Sequence, residues 1–435
     1  MEKKATKQLH WVRLDNAAKI YPAARRKNWS NVFRQSVTLT EQVDVAVLQS
    51  ALDITVRRFP SIAARLRKGV FWYYLQQVEI APGIKEEYSY PLTFMSKAEM
   101  RRCAFRVIAY ENRIAVEFFH SLTDGSGALI FLKTLTAEYL EQKYGISIPC
   151  EKGVLDRREP PKPEELEDCF LKNAGPVPTG RKDTNAWHMY GEPQKDGFLN
   201  VTCFQIPVEE ALELAHQYHV SLTVLMSAVM MQALLNLQRE KCPHRRPKPI
   251  KVLIPVNLRQ LFPSNTLRNF ALYITPEIDP RLGEYSFEEI CQLIYHKIGL
   301  EVTAKHMANV IATNVNDEKN PLLRLVPLPL KNAVMKAVFD SVGEKKSCLS
   351  MSNLGRITVP PEMERFIERF DFILGVQAAA PYNCGLLSYG DTIYVNFIRD
   401  IQDAELERHF HFVLQQLGLP VQVQSNRREE KGCTV

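Results

Sequence analysis

The stretch RRCAFRVIAYENRIAVEFFHSLTDGSGALIFLKTLTAEYL, residues 101–140, constrains the fold of this chain more than any other segment. Two apolar, β-branched runs, 101–110 and 113–120, are separated by Glu111-Asn112, the length of a tight hairpin turn. Beyond Gly125 and Gly127, residues Ala128, Phe131, Leu132, Leu135 and Tyr139 recur at i, i+3, i+4, i+7 and i+11, the stripe of an amphipathic helix. Strand, strand, glycine turn and helix make this half of the chain α/β. They place His120 at the exit of a buried strand.

That position gives His120 a rigid mount, and an imidazole with an ordinary pKa of about 6.5 can take a proton near neutral pH. Gly125 and Gly127 permit positive φ and a close approach of backbone or ligand. Asp124 can turn back towards the ring, pair with a cation elsewhere, or cap the helix that starts near residue 126. On the local pattern, His120 is either a general base or a hydrogen-bonded core histidine.

The same alternation continues on both sides. Residues 32–39 have strand composition, Val45, Leu48, Leu52 and Val56 form a helical stripe after the N-cap residue Asp44, and 69–78 is a strand rich in aromatics. A polar, proline-bearing connector follows at 159–185, and strand and helix then resume. Strands are expected at 198–206, 250–259, 371–380 and 391–398, and helices at 208–219, 222–238, 285–305, 322–340 and 403–417. The expected organisation is a first lobe over 1–165, a crossover at 166–198, a second lobe over 199–423 and a disordered tail at 424–435.

With 46% hydrophobic and 24% charged residues, 435 residues are ample for large cores. The net charge of +6 suits an anionic ligand but is far from a nucleic-acid-binding stripe. Nine scattered cysteines, never in C-x-x-C, are expected as reduced thiols in a cytoplasmic protein. The start MEKKATKQLHW has no apolar signal region, and the longest apolar run, 222–238, is too short to span a bilayer. The pairs His216/His219 and His409/His411 lack further ligands at convincing spacing, so no metal is assigned.

With these residues in view, the chain resembles the chloramphenicol acetyltransferase-like, or condensation-domain-like, superfamily of acyltransferases. The segment His120-Ser-Leu-Thr-Asp124-Gly125 matches its H-x-x-x-D-G hallmark. RRFPSIAARLR (57–67), SLTVLMSAVMMQAL (221–234), IPVNLRQ (254–260) and SMSNLGRI (350–357) match further segments in the order that family has them. The resemblance runs from about residue 10 to residue 418. LDNAAKIYP and PYNCGLLSYGD are similar to stand-alone alcohol acetyltransferase-like members. Phe119 stands where peptide-synthetase condensation domains carry a second histidine, and the D-F-G-W-G box of plant members is absent. Both departures point to a free-standing, bacterial-type transferase.

The resemblance implies two α/β lobes, each a mixed sheet with flanking helices, forming a V with a central tunnel. It implies acyl transfer from acyl-CoA or acyl-pantetheine, the latter on a carrier protein, to an alcohol or amine. No bound cofactor is implied, and a monomer is expected. His120 would be the general base, and Asp124 and Gly125 would support the loop, with Arg259 as the partner of Asp124. Ser352 and Asn353 would contact the oxyanion or substrate, or simply end a strand. Arg245, Arg246 and Lys248 would meet coenzyme A phosphates, or form a solvated connector. The alternative function is a non-catalytic binding protein of the same fold, or a carrier-protein-dependent condensation enzyme forming an amide or ester.

Overall fold

Two large mixed sheets organise the chain, seen in a computed structural model that describes residues 11–25, 31–177, 184–244, 246–319, 325–339, 344–377 and 379–426. The first sheet has five strands in the order Ile367–Ile373, Val32–Leu39, Arg113–Phe119, Phe105–Tyr110 and Lys85–Glu86. Its pairs are antiparallel except the last, which is parallel. The second sheet runs Ala271–Ile274, Ile250–Asn257, Leu349–Arg356, Tyr382–Tyr389, Thr392–Arg399, Asn200–Pro207 and Gln422–Ser425, with Glu277–Ile278 also paired to Ile250–Asn257. Its three central strands from 250, 349 and 382 are parallel, and the rest of the sheet is antiparallel. A small sheet of Trp11–Arg13, Tyr73–Gln77 and Ala64–Lys68 stands apart.

Local chemistry sets the helices that cover these sheets. Asp44 caps Val45–Arg58 by accepting from the Ala46 and Val47 amides. Gly145, at φ 65°, ends Gly125–Tyr144 in the left-handed conformation that glycine adopts without strain. Leu48, Leu52 and Val56 meet Phe131, Leu132 and Leu135 in one apolar core beneath the first sheet. In the second half, Leu222–Lys241 is capped by Ser221 and buried almost all round, packed with Glu405–Gln416 and Phe287–Glu301. None of the described helices is, by itself, long and apolar enough to cross a membrane.

Several elements differ from the sequence reading, each for a local reason. Residues 101–102 belong to a helix, Lys97–Arg102, nucleated by a capping box between Ser96 and Glu99, and the strand begins only at Phe105. The strand expected at 371–380 is Ile367–Ile373, and a second strand, Tyr382–Tyr389, lies between it and Thr392–Arg399 in sequence. A Cβ at Gly375 would fall 2.6 Å from Val32 O, and one at Gly385 would fall 2.2 Å from Phe372 O, so the two sheets cross in close contact here. The helices expected at 285–305 and 322–340 are Phe287–Glu301 and Leu328–Val338, with Ala304–Lys319 between them.

The lobe boundary also differs. Ile367–Ile373 comes from the second half of the chain, yet it pairs with Val32–Leu39 and adds Phe370 and Phe372 to the first core. It is the edge strand of that sheet, with Phe370 and Phe372 buried, Glu368 exposed and the buried Asp371 paired with Arg369. Gln424 and Ser425, placed in the tail by composition, pair with Cys203 and Thr202, and 427–435 lie outside the described residues.

Candidate active site

His120 follows the Arg113–Phe119 strand, and its backbone amide donates to Asn31 O at 2.8 Å, extending the contact of that strand with Val32–Leu39. One face of the imidazole stacks on Tyr21, with ring centroids 4.4 Å apart, and Phe33 meets it edge-on at 5.0 Å. Tyr21 lies on the short helix Ile20–Ala24 and is the tyrosine of the LDNAAKIYP segment.

The ring is held by Asn269. Its Nδ2 donates to His120 O at 3.0 Å and to Asp15 Oδ2 at 3.3 Å, while its Oδ1 lies 3.1 Å from His120 Nδ1. Two acceptors on one side fix which way the amide points, so Oδ1 faces the ring and must accept. Nδ1 therefore carries the hydrogen, and Nε2 keeps its lone pair. No described residue hydrogen-bonds to Nε2. Burial pushes the His120 pKa below its ordinary value, against its own backbone hydrogen bond, Asp124 and Asn269, which raise it. The ring is thus neutral at neutral pH.

Asp15, behind Asn269, is fully buried. Its Oδ1 accepts from the Ala18 amide at 2.7 Å, and Arg268 stands 3.7 Å from Oδ2. Burial pushes its carboxyl up to about 6, with Arg268 opposing and Asp168 reinforcing the rise.

Asp124 both caps a helix and pairs with a cation. Its Oδ1 accepts from the Gly127 amide at 3.1 Å, capping Gly125–Tyr144. Its Oδ2 accepts from Arg259 Nη1 at 2.7 Å and from the Phe270 amide at 2.8 Å. Arg259 in turn donates to Thr266 O at 3.0 Å and Arg268 O at 2.6 Å. Thr123 Oγ1 reaches Leu267 O at 2.6 Å, and Asn257 Nδ2 reaches Ser126 Oγ at 3.1 Å. Residues 257–270 of the second half are thus bonded along the whole 120–127 loop. Both carboxylate oxygens are bonded to the helix start and to that segment, and neither is hydrogen-bonded to the imidazole.

The glycines answer the same close packing. At Gly127 a Cβ would lie 2.2 Å from Thr123 Oγ1 and 2.3 Å from Leu267 O, and at Gly125 it would lie 2.7 Å from Leu354 Cδ2. Leu354 belongs to Leu349–Arg356, the strand that carries Ser352 and Asn353. Asn353 Nδ2 donates to Thr223 Oγ1 at 3.0 Å and its Oδ1 accepts from the Gly355 amide at 2.8 Å. That brings this strand and the first turn of Leu222–Lys241 to the His120 loop.

The basic loop is elsewhere. Arg246 and Lys248 follow the far end of Leu222–Lys241, and 18 residues from Thr223 to Lys241 span ~27 Å at the helical rise. They line a cavity of their own and do not face the His120 loop. Arg245 lies outside the described residues.

Asn269 and Asp15 are the residues that sequence reading missed. Asn269 sits in the short polar run Arg268-Asn269 just before the apolar 270–274 stretch, and Asp15 is the second residue of LDNAAKIYP. Two buried polar residues beside apolar runs were the only signal.

No protein-family model matches the chain, and no curated protein sequence does. Solved structures do. The structure of Fusarium sporotrichioides TRI101 with coenzyme A and T-2 is similar over 95% of this chain and 99% of its own, with a TM-score of 0.62 and 10% identity. The wax ester synthase/diacylglycerol acyltransferase from Marinobacter aquaeolei VT8 is similar over 94% and 100%, with a TM-score of 0.55 and 12% identity. The first condensation domain of the CDA synthetase is similar over 95% and 97%, with a TM-score of 0.58 and 12% identity. The chain has the two-lobed, chloramphenicol acetyltransferase-like fold common to these acyltransferases and condensation domains.

Proposed function

We propose that the protein is an acyltransferase, moving an acyl group from a thioester to an alcohol or amine with His120 as general base. The observation that carries this reading is the Asn269 clamp, which leaves His120 Nε2 as an unpartnered acceptor on a neutral ring. A histidine kept only to fill a core has no need of a fixed tautomer with its outer nitrogen unspent.

In this mechanism Nε2 takes the proton of the acceptor hydroxyl or amine as that atom attacks the thioester carbonyl. The carbonyl electrons move to oxygen, giving a tetrahedral oxyanion. When it collapses, the carbon–sulfur bond breaks and the imidazolium returns its proton to the leaving thiolate. The thioester is already activated, so no covalent intermediate on the protein is needed. Asn353 spends one amide hydrogen on Thr223. Its second hydrogen and the Ser352 hydroxyl are the donors we assign to the oxyanion. Asp124, Gly125 and Arg259 hold the loop that aims the base. The donor is acyl-CoA or an acyl-pantetheine on a carrier protein. TRI101, a structural neighbour, holds coenzyme A.

The test is thiol release from acetyl-CoA, longer acyl-CoAs and acyl-pantetheine with a panel of alcohols and amines, for wild type and His120→Ala. A positioned general base is worth about 10²–10⁴-fold, and that is the loss expected in His120→Ala. Equal turnover in the two proteins would exclude His120 as the base. No turnover of any donor by wild type would favour a binding protein on the same fold.

A further inference from the structure

A cavity of about 300 Å³ lies in the second half of the chain, at the far end of Leu222–Lys241 from His120. Its apolar lining comes from Met189, Leu237 and Leu406, with the Trp187 and Tyr190 rings beside them. Trp187 is buried and Tyr190 is open to solvent, so one ring is deep and the other lies at the rim.

The cavity's polar groups are unevenly spent. Lys241 is paired with Glu405 at 2.6 Å. Arg246 and Lys248 are not neutralised in this way: among the described residues Lys248 closes no ion pair, and Arg246 acts on Asp279 only through its field. Their backbone is nevertheless anchored, because buried Gln238 donates from Nε2 to Lys248 O at 3.0 Å and Pro247 fixes φ between the two cations. His188 carries the last feature. Its Nδ1 lies 3.0 Å from Ala379 O, a group that can only accept, so Nδ1 holds the hydrogen and, on the neutral ring, Nε2 is an acceptor. That Nε2 is buried and has no hydrogen-bond partner. A buried, unpaired acceptor costs free energy unless a ligand donor satisfies it.

We infer that this cavity is a second binding site, for a small aromatic anion that carries a hydroxyl or N–H donor. The flat apolar body stacks by Trp187 and Tyr190, the anionic head meets Arg246 and Lys248, and the donor reaches His188 Nε2. Carboxylate and phosphate heads share this chemistry. The volume, about 300 Å³ and open at the Tyr190 rim, sits at the small end of ligand pockets. The site is ~27 Å along the helix from the His120 loop and does not depend on the proposed acyl transfer.

The test is calorimetric titration of the full chain with 4-hydroxybenzoate, benzoate, phenyl phosphate, acetate and inorganic phosphate. Saturable 1:1 binding of the aromatic anions, about tenfold or more tighter than acetate and inorganic phosphate, is expected, and the tighter of carboxylate and phosphate names the head group. Arg246→Ala with Lys248→Ala, both at the surface, should weaken binding by about 10–100-fold, the range of charge-assisted hydrogen bonds. His188→Phe should erase the preference for 4-hydroxybenzoate over benzoate. His120→Ala should bind as wild type does. Aromatic anions no tighter than acetate, a double variant that binds like wild type, or loss of binding in His120→Ala would each overturn the inference.

Discussion

Replacing Asp124 by alanine removes three hydrogen bonds at once, and their surroundings set the cost. The cap on the Gly127 amide is worth ~1 kcal/mol, and the buried Phe270 amide left unpaired costs ~1–3 kcal/mol. Arg259, its side chain only 14% exposed, loses its carboxylate, and breaking such a pair costs ~3–5 kcal/mol when the charge has no other partners. Here it keeps the Thr266 and Arg268 carbonyls, so the charge is partly satisfied. The three losses overlap, and the net destabilisation of Asp124→Ala is expected at ~4 kcal/mol. The assay is urea unfolding followed by far-UV circular dichroism for Asp124→Ala, Arg259→Ala and the double variant. The cycle should return a coupling of ~2 kcal/mol, because the two groups act through one contact. A coupling below ~0.5 kcal/mol would refute the cross-lobe pair as the reason for Asp124. So would an Asp124→Asn protein that keeps its stability but loses its rate, since the pair with Arg259 acts by holding the loop.

Three further outcomes follow from the geometry. Gly127→Ala would force its Cβ against Thr123 Oγ1 and Leu267 O, and should lower stability in urea unfolding by ~1–3 kcal/mol. Glu117 is fully buried and accepts from Arg34 Nε at 2.8 Å, Arg106 Nε at 2.6 Å and the Leu92 amide at 2.7 Å. Burial raises its pKa, but the two guanidiniums outweigh that and hold it below its ordinary value, so its contribution is present above pH ~4.5 and is lost as pH falls through the depressed pKa. Glu117→Gln should cost ~3–5 kcal/mol at pH 7, with the gap to wild type narrowing in acid unfolding series. For catalysis, the lowered His120 pKa places the acid limb of kcat/KM below pH 6.5, where protonation removes the base, and a limb at or above 6.5 in a pH–rate profile would contradict it.

The frame of the first sheet was legible because its strands and helices alternate locally. The Glu111-Asn112 hairpin and the stripe on 128–139 depend on neighbours a few residues away, and periodicity reports such contacts directly. Arg259 was legible as the cation that ends an apolar strand. Ile367–Ile373 was not legible as part of the first sheet, because nothing in its own pattern says that it pairs across more than 300 residues with Val32–Leu39. Asn269 and Asp15 escaped for the same reason: their partners are 149 and 254 residues away in sequence, and a single polar residue beside a strand has no period.

The central claim is that His120 presents a bare Nε2 on a ring whose tautomer Asn269 fixes. Long-range ¹H–¹⁵N correlation spectra of ¹⁵N-histidine-labelled protein at pH 7.5 read this directly, with the His120 signals identified among the ten histidines by their loss in His120→Gln. The account predicts a protonated Nδ1 and an unprotonated Nε2 for His120 in the wild type, and a mixed or reversed tautomer in Asn269→Ala. An Nε2-protonated ring in the wild type would contradict it.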